Sequence, residues 1–233
     1  MKSTFLYLVR HGTIINVNGK RYIGQLEAPL SERGVEQAWA LRNWLEPVDF
    51  SHAFCSDLTR SQRTAKIVIG QRAIPLQVSA ELREISLGDW EGVSFHEVAH
   101  RFPKEYEARG KDLENWRPPG GESFGDCRKR MLPFLQEVLA TAQGNILLVG
   151  HAGINRLILC DALGIPVKNL MNIGQDYGCV NLIEYGDSRV RLHLQNYAPM
   201  GTRPVAQPSP IENVRTAARQ ERGRKISDGV FRQ

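Results

Sequence analysis

Arg10 and His11 stand side by side at the end of an apolar run, Phe5 to Val9, with Gly12 directly after them. A neutral imidazole nitrogen is a competent nucleophile toward phosphorus. It splits one difficult displacement into two easier ones through a covalent phosphohistidine. Such a reaction needs fixed positive donors for the phosphoryl oxygens, and guanidinium forks match those oxygens in pairs. The same donors stabilise charge on the transferring group. It also needs an acid to protonate the departing alkoxide. A glutamate beside a bound phosphate has its pKa raised by like charge, which keeps it protonated for that task.

The chain offers candidates for each role. In "SDLTRSQRTA" (56–65), Arg60 and Arg63 lie three apart on the first turns of a helix, where one of them can join backbone N–H groups around an anion. Glu84 precedes the Gly-Asp-Trp-Glu-Gly turn of "LREISLGDWEG" (82–92), and His151 ends a second apolar run in "LLVGHAG" (147–153). Each residue alone also has an ordinary structural reading, as a strand-end charge, a solvated helix face or a core histidine. The case rests on their occurring together.

The elements that must carry these residues alternate. Residues 4–9 read as a buried strand, and "ERGVEQAWALRNWLE" (32–46) as an amphipathic helix capped by Ser31. A short strand at 52–56 precedes a helix at 58–70, and a buried strand at 145–150 precedes a helix at 152–163 that stops at Gly164 and Pro166. Two strands, 179–185 and 189–195, join at Gly186-Asp187. Residues 94–142 read as helical with a break at "RPPGGES" (117–123), and Pro133 should kink the last helix or mark its start. The alternation implies an α/β three-layer sandwich, a mostly parallel central sheet flanked by helices. In such sheets ligands bind beyond the carboxyl ends of the strands. Arg10-His11, Ser56-Asp57 and Gly150-His151 all fall at such ends and are expected to converge on one crevice.

Composition narrows the class. Of 233 residues, 42% are hydrophobic and 24% charged, an ordinary globular balance. No apolar run is long enough to span a bilayer, and the N-terminus lacks the pattern of a signal peptide, so a cytoplasmic protein without a membrane partner is expected. Cys55, Cys127, Cys160 and Cys179 form no CxxC pair and read as reduced and buried. His96 and His100 have metal-compatible spacing without an evident third ligand, so neither a metal nor another cofactor is expected. Residues 199–233 hold seven Arg or Lys and three acids, which puts +4 of the net +5 there. With four prolines in 199–210, that segment reads as a linker and a weakly ordered basic tail after a domain of 1–198. It has no aromatic interleaving or nucleic-acid motif, so no nucleic-acid partner is expected.

Taken in order, "LVRHG", "SDLTRSQRTA", "LREISLGDWEG", "PPGGES" and "GHAG" resemble the histidine phosphatase superfamily in its phosphoglycerate mutase-like branch, across roughly residues 4–195. The resemblance implies a metal-independent phosphomonoesterase acting on a small phosphorylated metabolite. It implies His11 as the phosphorylated nucleophile, Arg10, Arg60 and His151 as phosphate ligands, and Glu84 as proton donor and then base. Gly12 is expected to leave room for phosphate beside the backbone. The segment after RHG departs from the family: Thr13 and Ile14 replace a common polar pair, and Val17 stands where an asparagine is expected. Asn16 is the preferred substitute, with Asn18 the alternative. "HAGINRLILCDALGIP" and "QDYGCVNLIEY" resemble members acting on α-ribazole 5′-phosphate in cobalamin assembly. A phosphoglycerate mutase is the enzymatic alternative, disfavoured by only thirty residues (93–122) between "WEG" and "GES". A catalytically dead binding protein is the other alternative, and a homodimer would be unsurprising. Trp90 is expected to prop the loop carrying Glu84, and Trp39 and Trp44 to be partly buried.

Overall fold

A computed structural model describes residues 3–15, 19–187 and 189–200. Among these, the strands are β1 (Thr4–Arg10), β2 (Phe50–Ser56), β3 (Leu76–Ser79), β4 (Asn145–Gly150), β5 (Val180–Tyr185) and β6 (Val190–Tyr197). They form one sheet in the order β3-β2-β4-β1-β5-β6. β4 pairs in parallel with both β1 and β2, and β2 with β3. β5 runs antiparallel to β1 and to β6. The helices are α1 (Glu32–Trp44), α2 (Thr59–Ile69), α3 (Phe95–Arg101), α4 (Pro103–Lys111), α5 (Phe124–Thr141) and α6 (Ala152–Leu163).

The two faces of the central strands are buried against different helices. Leu6 and Leu8 of β1 and Ile146 and Leu148 of β4 pack with Met131 and Leu135 of α5 and Leu157 and Ile158 of α6. Tyr7, Val9, Leu147 and Val149 point the other way, onto Leu41 of α1 and Ala65 and Val68 of α2. Period-2 alternation in strands apolar on both faces requires a layer on each side, which is the three-layer sandwich expected from the sequence. Ser31 caps α1 by accepting from Gly34 N at 3.1 Å. Gly164 ends α6 in the left-handed conformation.

Three details differ from the sequence reading. β3 is an additional strand: it is a four-residue edge strand with no buried residue, too short and too exposed to carry a periodic signal. Pro133 does not mark the start of its helix. α5 begins at Phe124, fixed by a capping box between Ser123 and Asp126, and Pro133 sits within it. Trp39 is exposed, with the Arg42 guanidinium 4.8 Å from its ring centroid, whereas Trp44 is buried.

No helix among the described residues is long and apolar enough to cross a membrane. Cys55, Cys127, Cys160 and Cys179 are free and buried. The tail expected over 199–233 lies, from residue 201 onward, outside the described residues.

Candidate functional site

The register Arg10↔Gly150 brings the carboxyl ends of β1 and β4 together, so His11 and His151 leave neighbouring strands at the same level. Their ring centroids are 5.0 Å apart, and His11 N donates to Gly150 O at 3.1 Å. Arg60 arrives from the second residue of α2, next in the sheet, and is almost fully buried, whereas Arg63 is exposed. A cavity of about 410 Å³ opens over this point, with Arg10, His11, Arg60, Glu84 and Gly153 among its lining residues. Ser56 and Asp57 do not line it. Ser56 Oγ accepts from Leu58 N, and the Asp57 carboxylate takes a forked ion pair from Arg83. Asn16 and its alternative Asn18 lie outside the described residues.

The hydrogen bonds assign the protons on both histidines. His11 Nδ1 lies 2.8 Å from Gly12 O. A carbonyl only accepts, so Nδ1 carries the hydrogen and Nε2 keeps its lone pair. Burial, then the positive charges of Arg10 and Arg60, hold the His11 pKa well below 6.5. His151 Nδ1 accepts from Arg60 Nε at 3.3 Å, which leaves the hydrogen of the neutral ring on Nε2. Burial first, and His11 and the arginines after it, push that pKa well down too. His151 Nε2 and Arg10 Nε are both buried without a hydrogen-bond partner among the described residues. Two buried donors lacking an acceptor, beside an imidazole lone pair, form a place suited to anionic oxygens.

These shifts give a pH prediction. Folded protein keeps both rings unprotonated below pH 6.5, where an unfolded chain would protonate them. Stability therefore falls as pH drops below 6.5, because protons bind the unfolded chain in preference to the folded one. An NMR titration should find the His11 and His151 ring signals unmoved through pH 6.5. A midpoint at or above 6.5 for either ring would contradict the assignment.

Arg10 and Glu84 are each held from several sides. Arg10 Nη1 donates to Gln175 O at 2.5 Å, and its guanidinium carbon lies 3.7 Å from the Tyr177 ring centroid. Both Glu84 oxygens accept from Gly153 N at 3.0 Å, and Oε1 also from Ile85 N. The backbone behind Glu84 is tied down by Arg130, which donates to the carbonyls of Glu81, Arg83 and Glu84, and by Gln25. Glu122 of the "GGES" segment pairs with Arg130 and accepts from Ser86 N. Trp90 is 1% exposed and does not line the cavity; it packs on Trp116 and on Tyr22, itself a lining residue, in keeping with a propping role rather than contact with substrate.

Gly12 has a different reason from the one expected. A Cβ there would sit 2.3 Å from Gly34 O, and a Cβ on Gly34 would sit 2.0 Å from Thr13 O. Glycine at both positions lets the loop after β1 meet the first turn of α1 backbone to backbone, and α1 occupies the room. Gly153 leaves the Glu84 carboxylate its place, because a Cβ there would lie 2.4 Å from Glu84 Oε1. Sequence reasoning missed Tyr177, Arg130 and Gly153 as parts of the site. Flanking glycines mark 174–178 as a turn, but stacking and carbonyl-latching partners have no fixed spacing. His96 and His100 stack with centroids 6.4 Å apart, and no group of three or more His, Cys, Asp or Glu gathers as a metal site among the described residues.

Known proteins share both sequence and fold. The histidine phosphatase superfamily (branch 1) profile matches residues 6–198. The adenosylcobalamin/α-ribazole phosphatase of Escherichia coli is 32% identical over 198 residues, which is 84% of this chain and 97% of that protein. A glucosyl-3-phosphoglycerate phosphatase of Mycolicibacterium vanbaalenii is 34% identical over 183 residues, 75% of this chain and 80% of its own. The solved α-ribazole phosphatase from Shigella flexneri superposes with a TM-score of 0.77 at 30% identity, covering 85% of this chain and 99% of that one. With a profile running from β1 to the end of β6 and relatives above 30% identity across most of both lengths, the chain belongs to the histidine phosphatase superfamily, branch 1.

Proposed function

We propose that the protein is a metal-independent phosphomonoesterase, acting on a small phosphorylated metabolite through a phosphohistidine on His11. The observation that supports this most is the lone pair fixed on His11 Nε2 beside the unpartnered donors Arg10 Nε and His151 Nε2. Nε2 attacks phosphorus, forming a P–N bond as the P–O bond to the leaving group breaks. Glu84 gives its proton to the departing oxygen. It then takes a proton from water, which attacks phosphorus, breaks the P–N bond and frees inorganic phosphate. Arg10, Arg60 and His151 hold the phosphoryl oxygens, with Asn16 assigned the same role from the sequence. Four free, buried cysteines suit a reducing compartment, and we place the protein in the cytoplasm.

The names of the relatives supply two substrates to try first, α-ribazole 5′-phosphate and glucosyl-3-phosphoglycerate. The former would place the enzyme in cobalamin assembly. Phosphate release from these and from 3-phosphoglycerate should be measured in EDTA, with protein denatured in alkaline detergent and assayed for base-stable, acid-labile phosphohistidine. Release in EDTA, with phosphohistidine detected on the denatured protein, is expected. Isomerisation of 3-phosphoglycerate without release, given 2,3-bisphosphoglycerate, would make the enzyme a mutase. Absence of both activities in folded protein would favour a binding role.

A further inference from the structure

The cavity holds more positive charge than one phosphate requires. Arg10, Arg21, Arg60, Arg109 and Arg156 line it with a single carboxylate, Glu84. His11 is neutral, so five guanidiniums against one acid leave four positive charges. A phosphomonoester near neutral pH supplies about two negative charges.

Arg109 is the clearest surplus. It projects from α4 with its guanidinium carbon 5.7 Å from the Tyr22 ring centroid and 5.8 Å from that of Phe124. Its guanidinium makes no hydrogen bond or ion pair among the described residues. Burial lowers its pKa, opposed only by Tyr22 and Tyr106 and by no carboxylate among the described residues. A half-buried guanidinium without an acid partner is unfavourable unless an anion comes to it. Its place is informative as well. Phe124 also abuts Gly153, whose N–H holds Glu84, so Arg109 stacks on the aromatic wall beside the proposed proton donor. Arg156 reaches the same cavity from α6. Its Nε is committed to Ile173 O at 2.8 Å, and its pKa reflects burial first and then the charges of Arg10 and Glu84. Glu84 must face the leaving oxygen, which puts these two arginines against the body of the leaving group.

We infer that the substrate's leaving group itself carries an anion, a carboxylate or a second phosphate, held by Arg109 with Arg156 beside it. This rests on the phosphomonoesterase reading and narrows its substrate class. It ranks phosphorylated hydroxy acids and bisphosphates above phosphomonoesters whose remainder is neutral, α-ribazole 5′-phosphate among the latter.

The test is calorimetric titration of the full chain carrying His11→Ala, which binds without turnover. Two ligand pairs separate the anion sources: 3-phosphoglycerate against glycerol 3-phosphate, and fructose 1,6-bisphosphate against fructose 6-phosphate. In at least one pair the doubly anionic member should bind roughly ten- to hundredfold more tightly, the range for a charge-assisted contact. That pair names the anion. Adding Arg109→Gln should shrink the ratio, and Arg109→Lys should restore part of it. Equal affinities within both pairs, or a Gln variant that weakens both members alike, would overturn the inference. Phosphate release by the wild-type chain is scored separately. If release is absent while the affinity difference persists, the phosphatase reading fails and the anion subsite stands.

Discussion

Replacing His11 with alanine is expected to lower kcat/KM for phosphomonoester hydrolysis on the order of 10⁴- to 10⁶-fold, the loss typical when a covalent nucleophile is removed. The size follows from what the remaining groups can do. Arg10, Arg60 and His151 can still bind a phosphoryl group, but none offers a lone pair to phosphorus. Arginine carries no basic nitrogen at working pH. His151 has its Nδ1 lone pair engaged by Arg60 Nε. Binding should survive the substitution, so the loss belongs in kcat, and the trapped phosphohistidine should vanish. Thermal unfolding of the variant provides the control, because His11 is buried and its Nδ1–H bond to Gly12 O is lost with it. A folded His11→Ala protein retaining activity within tenfold of wild type would remove His11 as the nucleophile.

The second large effect belongs to Glu84→Gln. Glutamine keeps the size of the side chain but neither donates a proton as an acid nor removes one from water. Hydrolysis of alkyl phosphates should fall by about 10²- to 10⁴-fold, the usual contribution of general acid–base catalysis. p-Nitrophenyl phosphate separates the two half-reactions, because its leaving group departs without a proton. With that substrate the variant should still phosphorylate His11 and then stall, since no base activates the water. Stopped-flow absorbance should show a burst approaching one nitrophenolate per active site, followed by slow turnover. Equal losses on both substrates with no burst would mean that Glu84 acts otherwise than as acid and base. Gly153→Ala makes a related lesion from the opposite direction: its Cβ would displace the carboxylate from 2.4 Å away. It should mimic Glu84→Gln on alkyl phosphates while leaving the carboxylate chemically intact.

Much of this site is legible in the amino-acid sequence. Arg10-His11 and His151 end apolar runs whose length and alternation identify buried strands, and strand ends in such sheets face ligands. The choice of Arg60 over Arg63 comes from the family resemblance, and burial gives it a physical basis. α2 turns Arg60 inward to reach the carbonyls of Gly24 and Leu26, while Arg63 lies on the exposed side. The motifs around Glu84 are visible as text, but their purpose is not. "LGDWEG" and "PPGGES" belong together because Gly88 meets the backbone of Pro119 and Gly121 with no room for a Cβ, and Glu122 then ties Arg130 to the Glu84 loop.

By itself the sequence determined every strand except β3, the layer architecture and the residues at the strand ends, because those depend on periods of two and 3.6 residues within single segments. Tertiary structure decided what converges on them. β4 inserts between β1 and β2 across about ninety residues of chain, and no local period encodes that order. Placement of Tyr177 against Arg10, the latch of Arg130 behind Glu84 and the unpaired Arg109 on its aromatic wall all follow from that packing. The same holds for Gly12, whose missing side chain reads as space for a ligand until α1 is seen to fill it. Contacts between distant segments are fixed by which surfaces can be buried together, and only the assembled sheet shows which those are.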